Sequence, residues 1–271
     1  MIDSINLYEN QFDPAHNFPE SEIHKTLIIA STPRSGSHFL GHALFQSKHF
    51  GFPLEYANPV NMKKWKDIYG ETKFFETLGK IELDRTSENG VFAIKTHYSH
   101  LAEFGGINGL LQRYKNPHFI LLTRSDIINQ AVSLAIARQT GIWISDQLPK
   151  NSVPKYNYDE IHYCLKRTLL HNASWKYLLT THNCKFIDLD FSDLKKDLKT
   201  TILKISNFIG VDVPEDSLIS EPVTKQQSNN LNVEWINRFL KEHQRDKELI
   251  DIEFELDNSR KQRILKVLFG K

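Results

Sequence analysis

Three clusters in this chain have the residue types and spacing to hold anions. The first is Arg34-Ser35-Gly36-Ser37, inside the stretch TLIIASTPRSGSHFLGHAL that spans Thr26–Leu44. A short apolar run, Leu27–Ala30, enters a loop of small residues, and a helical pattern opens at Ser37. A phosphate site built as strand, loop and helix has this signature. Small residues let backbone N–H groups turn toward an anion, Arg34 adds a fixed positive charge, and Ser35 and Ser37 add hydroxyl donors. The helix N-terminus reinforces all of them. A nucleoside-triphosphate loop needs G-x-x-x-x-G-K-[ST]. Here Ser31 stands in place of the first Gly and Ser37 in place of the Lys. The loop suits a phosphate and suits Mg·ATP poorly.

The second cluster, Lys95-Thr96-His97, and the third, Arg124-Ser125-Asp126, each follow an apolar run. Gln130 and Ser133 come next, three residues apart, a spacing that puts both on one face of a helix. Two arginines at two strand ends suggest a ligand with two separated anionic groups, since Arg–phosphate pairs are charge-assisted and often bidentate. Several of these residues also have ordinary structural readings. Arg34 can cap a surface loop, Arg124 can pair with Asp126, and Ser133 can bond the carbonyl one turn back. Gln130, Gln139 and Trp143 suit packing or surface roles equally well, and Trp175 and Trp235 read as core aromatics. The run Lys63, Lys64, Lys66 reads as a solvated face.

The elements that must position these residues alternate strand and helix. Strands are expected at Thr26–Ala30, Val91–Thr96, Phe119–Thr123 and Lys185–Leu189. Helices are expected at Ser37–Ser47, Ile127–Arg138, Tyr158–Thr181, Leu194–Ile209, Val233–His243 and Ser259–Leu268, with Gly141 and Gly210 as stops and Asp190-Phe191-Ser192-Asp193 as a cap. The strands are continuous apolar runs, which fits a parallel sheet covered on both faces. The fold class is therefore α/β, a doubly wound parallel sheet with ligands at the carboxyl ends of its strands. Chemistry should collect just after each strand, where the three clusters lie.

The chain of 271 residues suits a single domain over its whole length. Within it, residues 1–25 read as an N-terminal extension. Residues 50–88 and 142–157, weakly periodic and rich in aromatic and polar residues, read as substrate-facing insertions. A net charge of +1 gives no global field toward nucleic acid or anionic membrane, so any anion site must be local. No apolar run reaches transmembrane length, and no secretory signal is visible. The two cysteines, Cys164 and Cys184, form no disulfide framework, and no Cys/His spacing suggests a metal. A cytoplasmic setting follows. Besides group transfer from a nucleotide, two classes remain: a P-loop-type nucleotide or small-molecule kinase, and a non-catalytic nucleotide-binding protein.

The loop STPRSGSHFL, the segment GFPLEY, the stretch TRSDIINQAVSLAIARQTGIW, the helix HNASWKYLL and the terminal KQQSNNLNVEWINRF together resemble the bacterial trehalose 2-sulfotransferase type. That type belongs to the sulfotransferases that use 3′-phosphoadenosine 5′-phosphosulfate (PAPS) and release PAP. The resemblance spans roughly residues 26–240. It implies that the residues around Arg34–Ser37, with His38 beside them, hold the 5′-phosphosulfate, and that Arg124 and Ser133 hold the 3′-phosphate. Lys225, in a polar loop that closes over the nucleotide in the superfamily, is implied as a lid cation. The implied reaction is metal-independent, in-line transfer of a sulfuryl group to a hydroxyl of a small-molecule acceptor, a carbohydrate or glycolipid. Relatives of this type also dimerise. Glu55 matches the position of the acidic base in trehalose-type members, while His97 lies in a K-T-H element like that of animal cytosolic sulfotransferases, where the His is the base. We expect Glu55 to act as base, with His97 orienting the acceptor or serving as an alternate base.

Overall fold

A computed structural model describes residues 11–143, 153–218 and 230–243. Strands β1 (Lys25–Ser31), β2 (Val91–His97), β3 (His118–Thr123) and β4 (Lys185–Asp190) form one sheet, all parallel, in the order β2-β1-β3-β4. The chain leaves β1 for β2 on one side, then returns past β1 to β3. The reversal between β1 and β3 is the crevice where open α/β sheets bind ligands.

Helices α1 (Ser37–Gln46), α2 (Pro59–Tyr69), α3 (Phe74–Arg85), α4 (Ile107–Arg113), α5 (Ile127–Thr140), α6 (Tyr158–Thr181), α7 (Phe191–Lys196), α8 (Leu198–Ile209) and α9 (Asn230–His243) surround the sheet. Successive strand residues point to opposite faces, and β1 shows this plainly. Leu27 and Ile29 enter one core with Leu40 and Leu44 of α1 and Ile202 and Ile205 of α8. Ile28 and Ala30 enter the other, with Leu78 and Ile81 of α3 and Trp175 and Leu179 of α6. Each fully buried aliphatic side chain contributes about 1.5–3 kcal/mol by leaving water. Burial on both faces explains why the strands read as continuous apolar runs. A third cluster, with Leu134 of α5, Ile161 of α6, and Trp235 and Phe239 of α9, fixes α5 against α6.

One expectation needs revision, and two segments prove more firmly built into the fold than their patterns suggest. The amphipathic stretch Leu194–Ile209 is two helices, because Asp197 takes an extended conformation and its carboxylate caps the Thr200 N–H at 2.9 Å. An Asp satisfies a helix N-terminus better than a helix interior. Residues 50–88 hold two helices and a large share of one core: Phe50, Phe52, Tyr56, Trp65, Leu78 and Ile81 are all buried. The aromatic residues that blur the periodicity there are core filling. The N-terminal extension is tied down from residue 11 onward. Phe12 packs 4.9 Å from the Trp65 ring, and the buried Arg85 donates to the Gln11 and Asp13 carbonyls, each at 3.2 Å. The expected helix Ser259–Leu268 and most of the segment 142–157 lie outside the described residues. Among the described residues no helix is long and apolar enough to cross a membrane, and Cys164 and Cys184 are free thiols.

Candidate functional site

The strand register brings the first two clusters together. Ser31 at the end of β1 pairs with His97 at the end of β2. The Ser31 Oγ lies 3.1 Å from His97 Nδ1, and His97 Nε2 lies 3.2 Å from Glu55 Oε1. Glu55 reaches this point because the chain after α1 returns along β2, where Lys95 N donates to the Leu54 carbonyl at 2.9 Å. The same Oε1 accepts from Lys95 Nζ at 2.9 Å. Glu55 and Lys95 are a buried ion pair, with side chains 10% and 2% exposed. Burial alone would push the Glu55 carboxyl up. The Lys95 ammonium and His97 outweigh it and hold the group well below the usual carboxylate range. Its Oε2 accepts from Asn58 Nδ2 at 3.2 Å. A carboxylate oxygen accepts two hydrogen bonds, and among the described residues Oε2 takes only this one, whereas both His97 ring nitrogens are engaged.

The loop after β1 is held in an uncommon conformation. Arg34 has φ 67° and Gly36 φ 87°, both left-handed. A Cβ at Gly36 would stand 2.1 Å from Phe191 Cδ2, so only glycine fits the turn into α1. Non-glycine residues in this region carry strain of the kind that clusters at ligand sites. Gln130 of α5, fully buried, clamps the loop by donating to Thr32 Oγ1 at 3.0 Å and the Pro33 carbonyl at 2.8 Å. Thr32 donates onward to Asn172 Oδ1 at 3.1 Å, and Trp175 Nε1 donates to the Ser31 carbonyl at 3.1 Å. Ser35 Oγ is buried and has no hydrogen-bond partner among the described residues. The loop is thus fixed from both α5 and α6, with one buried hydroxyl that meets no polar group of the described residues.

Arg34 Nε donates to Ser133 Oγ at 2.9 Å, and Arg34 also donates to the Trp143 carbonyl. Ser133 therefore joins the loop arginine rather than bonding its own helix. At the end of β3, Arg124 stands 3.5 Å from Asp126, too long for a strong pair, and its guanidinium lies 5.8 Å from the Phe191 ring centre. Phe191 touches both the Gly36 turn and the Arg124 side; its aromatic type right after a strand was its only sequence signal. Asp190 caps α7 through the Ser192 N–H at 2.8 Å. Ser37 and His38 lie in the first turn of α1, both largely withdrawn from water. Lys225 lies outside the described residues. Among the described residues no group of His, Cys, Asp or Glu is arranged to hold a metal.

Sequence reasoning missed Lys95 as the partner of Glu55 and Gln130 as the loop clamp, since both contacts join distant parts of the chain. It also missed a group of neutral histidines. The His38 and His42 rings lie 4.1 Å apart, and among the described residues neither nitrogen of His42 has a hydrogen-bond partner. Burial, with nearby cations, lowers His42 and His100 to about 3. Unfolded histidine takes up its proton near 6.5, so both groups leave stability intact above that pH and remove it progressively as the pH falls. Acidification from pH 7 to pH 5 should cost about 2 kcal/mol for each. Urea unfolding at the two pH values measures this, and equal midpoints would contradict it.

Residues 110–242 match the family model described as Stf0 sulphotransferase. The chain is 26% identical over 132 residues to the trehalose 2-sulfotransferase of Mycolicibacterium smegmatis, covering 48% of each protein. It is 26% identical over 124 residues to the Mycobacterium tuberculosis enzyme of the same name, covering 45% of each. The chain spans about half the length of the curated relatives it matches. A mouse sulfotransferase complexed with PAP superposes with a TM-score of 0.44 at 19% identity, over 74% of this chain and 63% of that one.

Proposed function

We propose that this chain, whose residues 110–242 match the Stf0 sulphotransferase model, moves a sulfuryl group from PAPS to a hydroxyl of a carbohydrate acceptor. The supporting observation is one arrangement at the strand ends. A clamped loop with a left-handed Arg34, a left-handed Gly36 and a buried, unpartnered Ser35 hydroxyl opens α1, and an ionised Glu55 stands at the neighbouring end of β2. The family match covers Arg124 and Ser133 but not Arg34, Glu55 or His97, so the roles of those three rest on the motif resemblance and on the chemistry of the strand-end arrangement.

The residues present fit a nucleotide with two anionic ends. Arg34, the Ser35 and Ser37 hydroxyls, the loop amides and His38 would hold the 5′ end, and Arg124 with Ser133 the 3′-phosphate. When bound, PAPS supplies an activated sulfuryl group whose departure leaves negative charge on a phosphate oxygen. Arg34 and the N-terminus of α1 would stabilise that charge. Glu55, through Oε2, would accept the proton of the acceptor hydroxyl, and His97 and Lys95 would keep the carboxylate aimed and ionised. Lys225 is retained as a lid cation. A carbohydrate carried on a lipid and a homodimer belong to the same proposal on the strength of the resemblance, and a cytoplasmic setting on the strength of the cysteine usage.

The test is calorimetry of PAP against AMP, followed by ATP with Mg²⁺. PAP should bind much more tightly than AMP, and Arg124→Ala should weaken PAP by about 1.5–3 kcal/mol, the range for a charged hydrogen bond, with AMP nearly unchanged. Equal losses for both nucleotides would remove Arg124 from the 3′-phosphate. Preference for Mg·ATP would return the kinase reading, and PAP binding without transfer to any acceptor would favour a non-catalytic protein.

A further inference from the structure

Arg167 and His171 stand one turn apart on α6, flanking the buried stripe Cys164, Thr168 and Trp175. Helix α6 is docked on the strand ends by the Trp175–Ser31 and Asn172–Thr32 hydrogen bonds. The His171 ring lies 5.0 Å from that of Tyr98, the residue after His97, and Tyr98 in turn lies 5.9 Å from Trp175. Burial lowers His171 to about 4 and His100 to about 3, and the positive charge of Arg167 pushes both the same way. Lys95, His97, His100, Arg167 and His171 therefore gather around the end of β2. Glu55 is the carboxylate that faces this group, and Lys95 and His97 already engage it. Arg167 is half-buried and makes no hydrogen bond or ion pair with any described residue.

A guanidinium drawn partly out of water with no carboxylate beside it is a ready partner for a carboxylate or phosphate. Position says which molecule would bring one. Arg34 and Arg124, the arginines assigned to the nucleotide, follow β1 and β3, whereas β2 lies on the other side of β1. Through the contact of His171 with Tyr98 the group around Arg167 adjoins the end of β2, beside Glu55, where a hydroxyl presented to Glu55 would extend the rest of its molecule. We propose that the acceptor is an anionic sugar, bearing a carboxylate or phosphate that Arg167 and His171 recognise. The proposal rests on the sulfotransferase reading and narrows its substrate class.

Ligand-observed NMR titration of the full chain tests it, with and without saturating PAP. The probes are methyl β-D-glucuronide, glucose 6-phosphate and the neutral methyl β-D-glucoside. At least one anionic probe should bind about tenfold or more tightly than the glucoside, the effect of one charged hydrogen bond. Which anionic probe it is separates a carboxylate from a phosphate. Arg167→Gln should close that gap and leave glucoside affinity unchanged, while Arg167→Lys should keep much of it. Equal affinity for the three probes, or a gap that survives Arg167→Gln, overturns the proposal. Failure of PAP itself to bind would sink the nucleotide reading instead, and the titrations without PAP would still decide the role of Arg167.

Discussion

Lys95→Met should lower the unfolding free energy by about 3–5 kcal/mol, the loss expected when one partner of a buried ion pair is removed. The size follows from what is left behind. Lys95 Nζ sits 2.9 Å from Glu55 Oε1 with both side chains nearly sealed from water. Without the ammonium, the carboxylate keeps only His97 and Asn58, and burial pushes its proton affinity up. The variant must then leave an underpaired charge in the interior or bind a proton at higher pH than the unaltered protein does. Adding Glu55→Gln removes that charge, so the double variant should regain most of the loss, because the net contribution of such a pair is small. Urea unfolding of the two single variants and the double variant measures this. A double variant as unstable as Lys95→Met would mean that the lysine stabilises the fold through its packing and not through the pair.

β1, β2 and β3 were legible because each is an apolar run buried on both faces, and β4, though more exposed, follows the same strand-then-helix pattern; all four bounds match the expected ones to within a residue. Helix α6 was legible to the residue, since its apolar spacing is regular and Asn157 caps it. What local pattern could not reveal falls into two kinds. Core aromatics such as Phe52, Tyr56 and Trp65 carry no clear period, so α2 and α3 looked like insertions. Pairings across the fold carry no local signal at all: Glu55 meets Lys95 only because the chain folds back along β2, and Arg34 meets Ser133 only because α5 packs over the loop. That the residue clusters after the strands would meet at one edge of the sheet could be read in advance, because fold class dictates where loops converge. Their wiring could not, because that depends on register.

That wiring decides how the proposed base should behave. Glu55→Gln should lower kcat by about 10²–10⁴-fold, the usual contribution of general base catalysis, while PAP affinity stays close to that of the unaltered protein. The pH profile carries the sharper consequence. Because Lys95 and His97 hold Glu55 well below the ordinary carboxylate range, the group stays ionised through the whole neutral region. Its contribution to kcat/KM is lost only on acidification below the usual carboxylate value, so the profile should be flat between about pH 5.5 and 8. A carboxylate this acidic is a weak base. Weakness is tolerable where the transition state is loose and the acceptor gives up its proton late, as in the related phosphoryl transfers. If His97 were the base, His97→Asn would abolish turnover while Glu55→Gln retained it. His97→Asn should instead keep the flat profile and lose rate through a less well aimed Glu55. The two readings assign the large loss of turnover to different residues, so comparing the two variants at matched PAP affinity separates them.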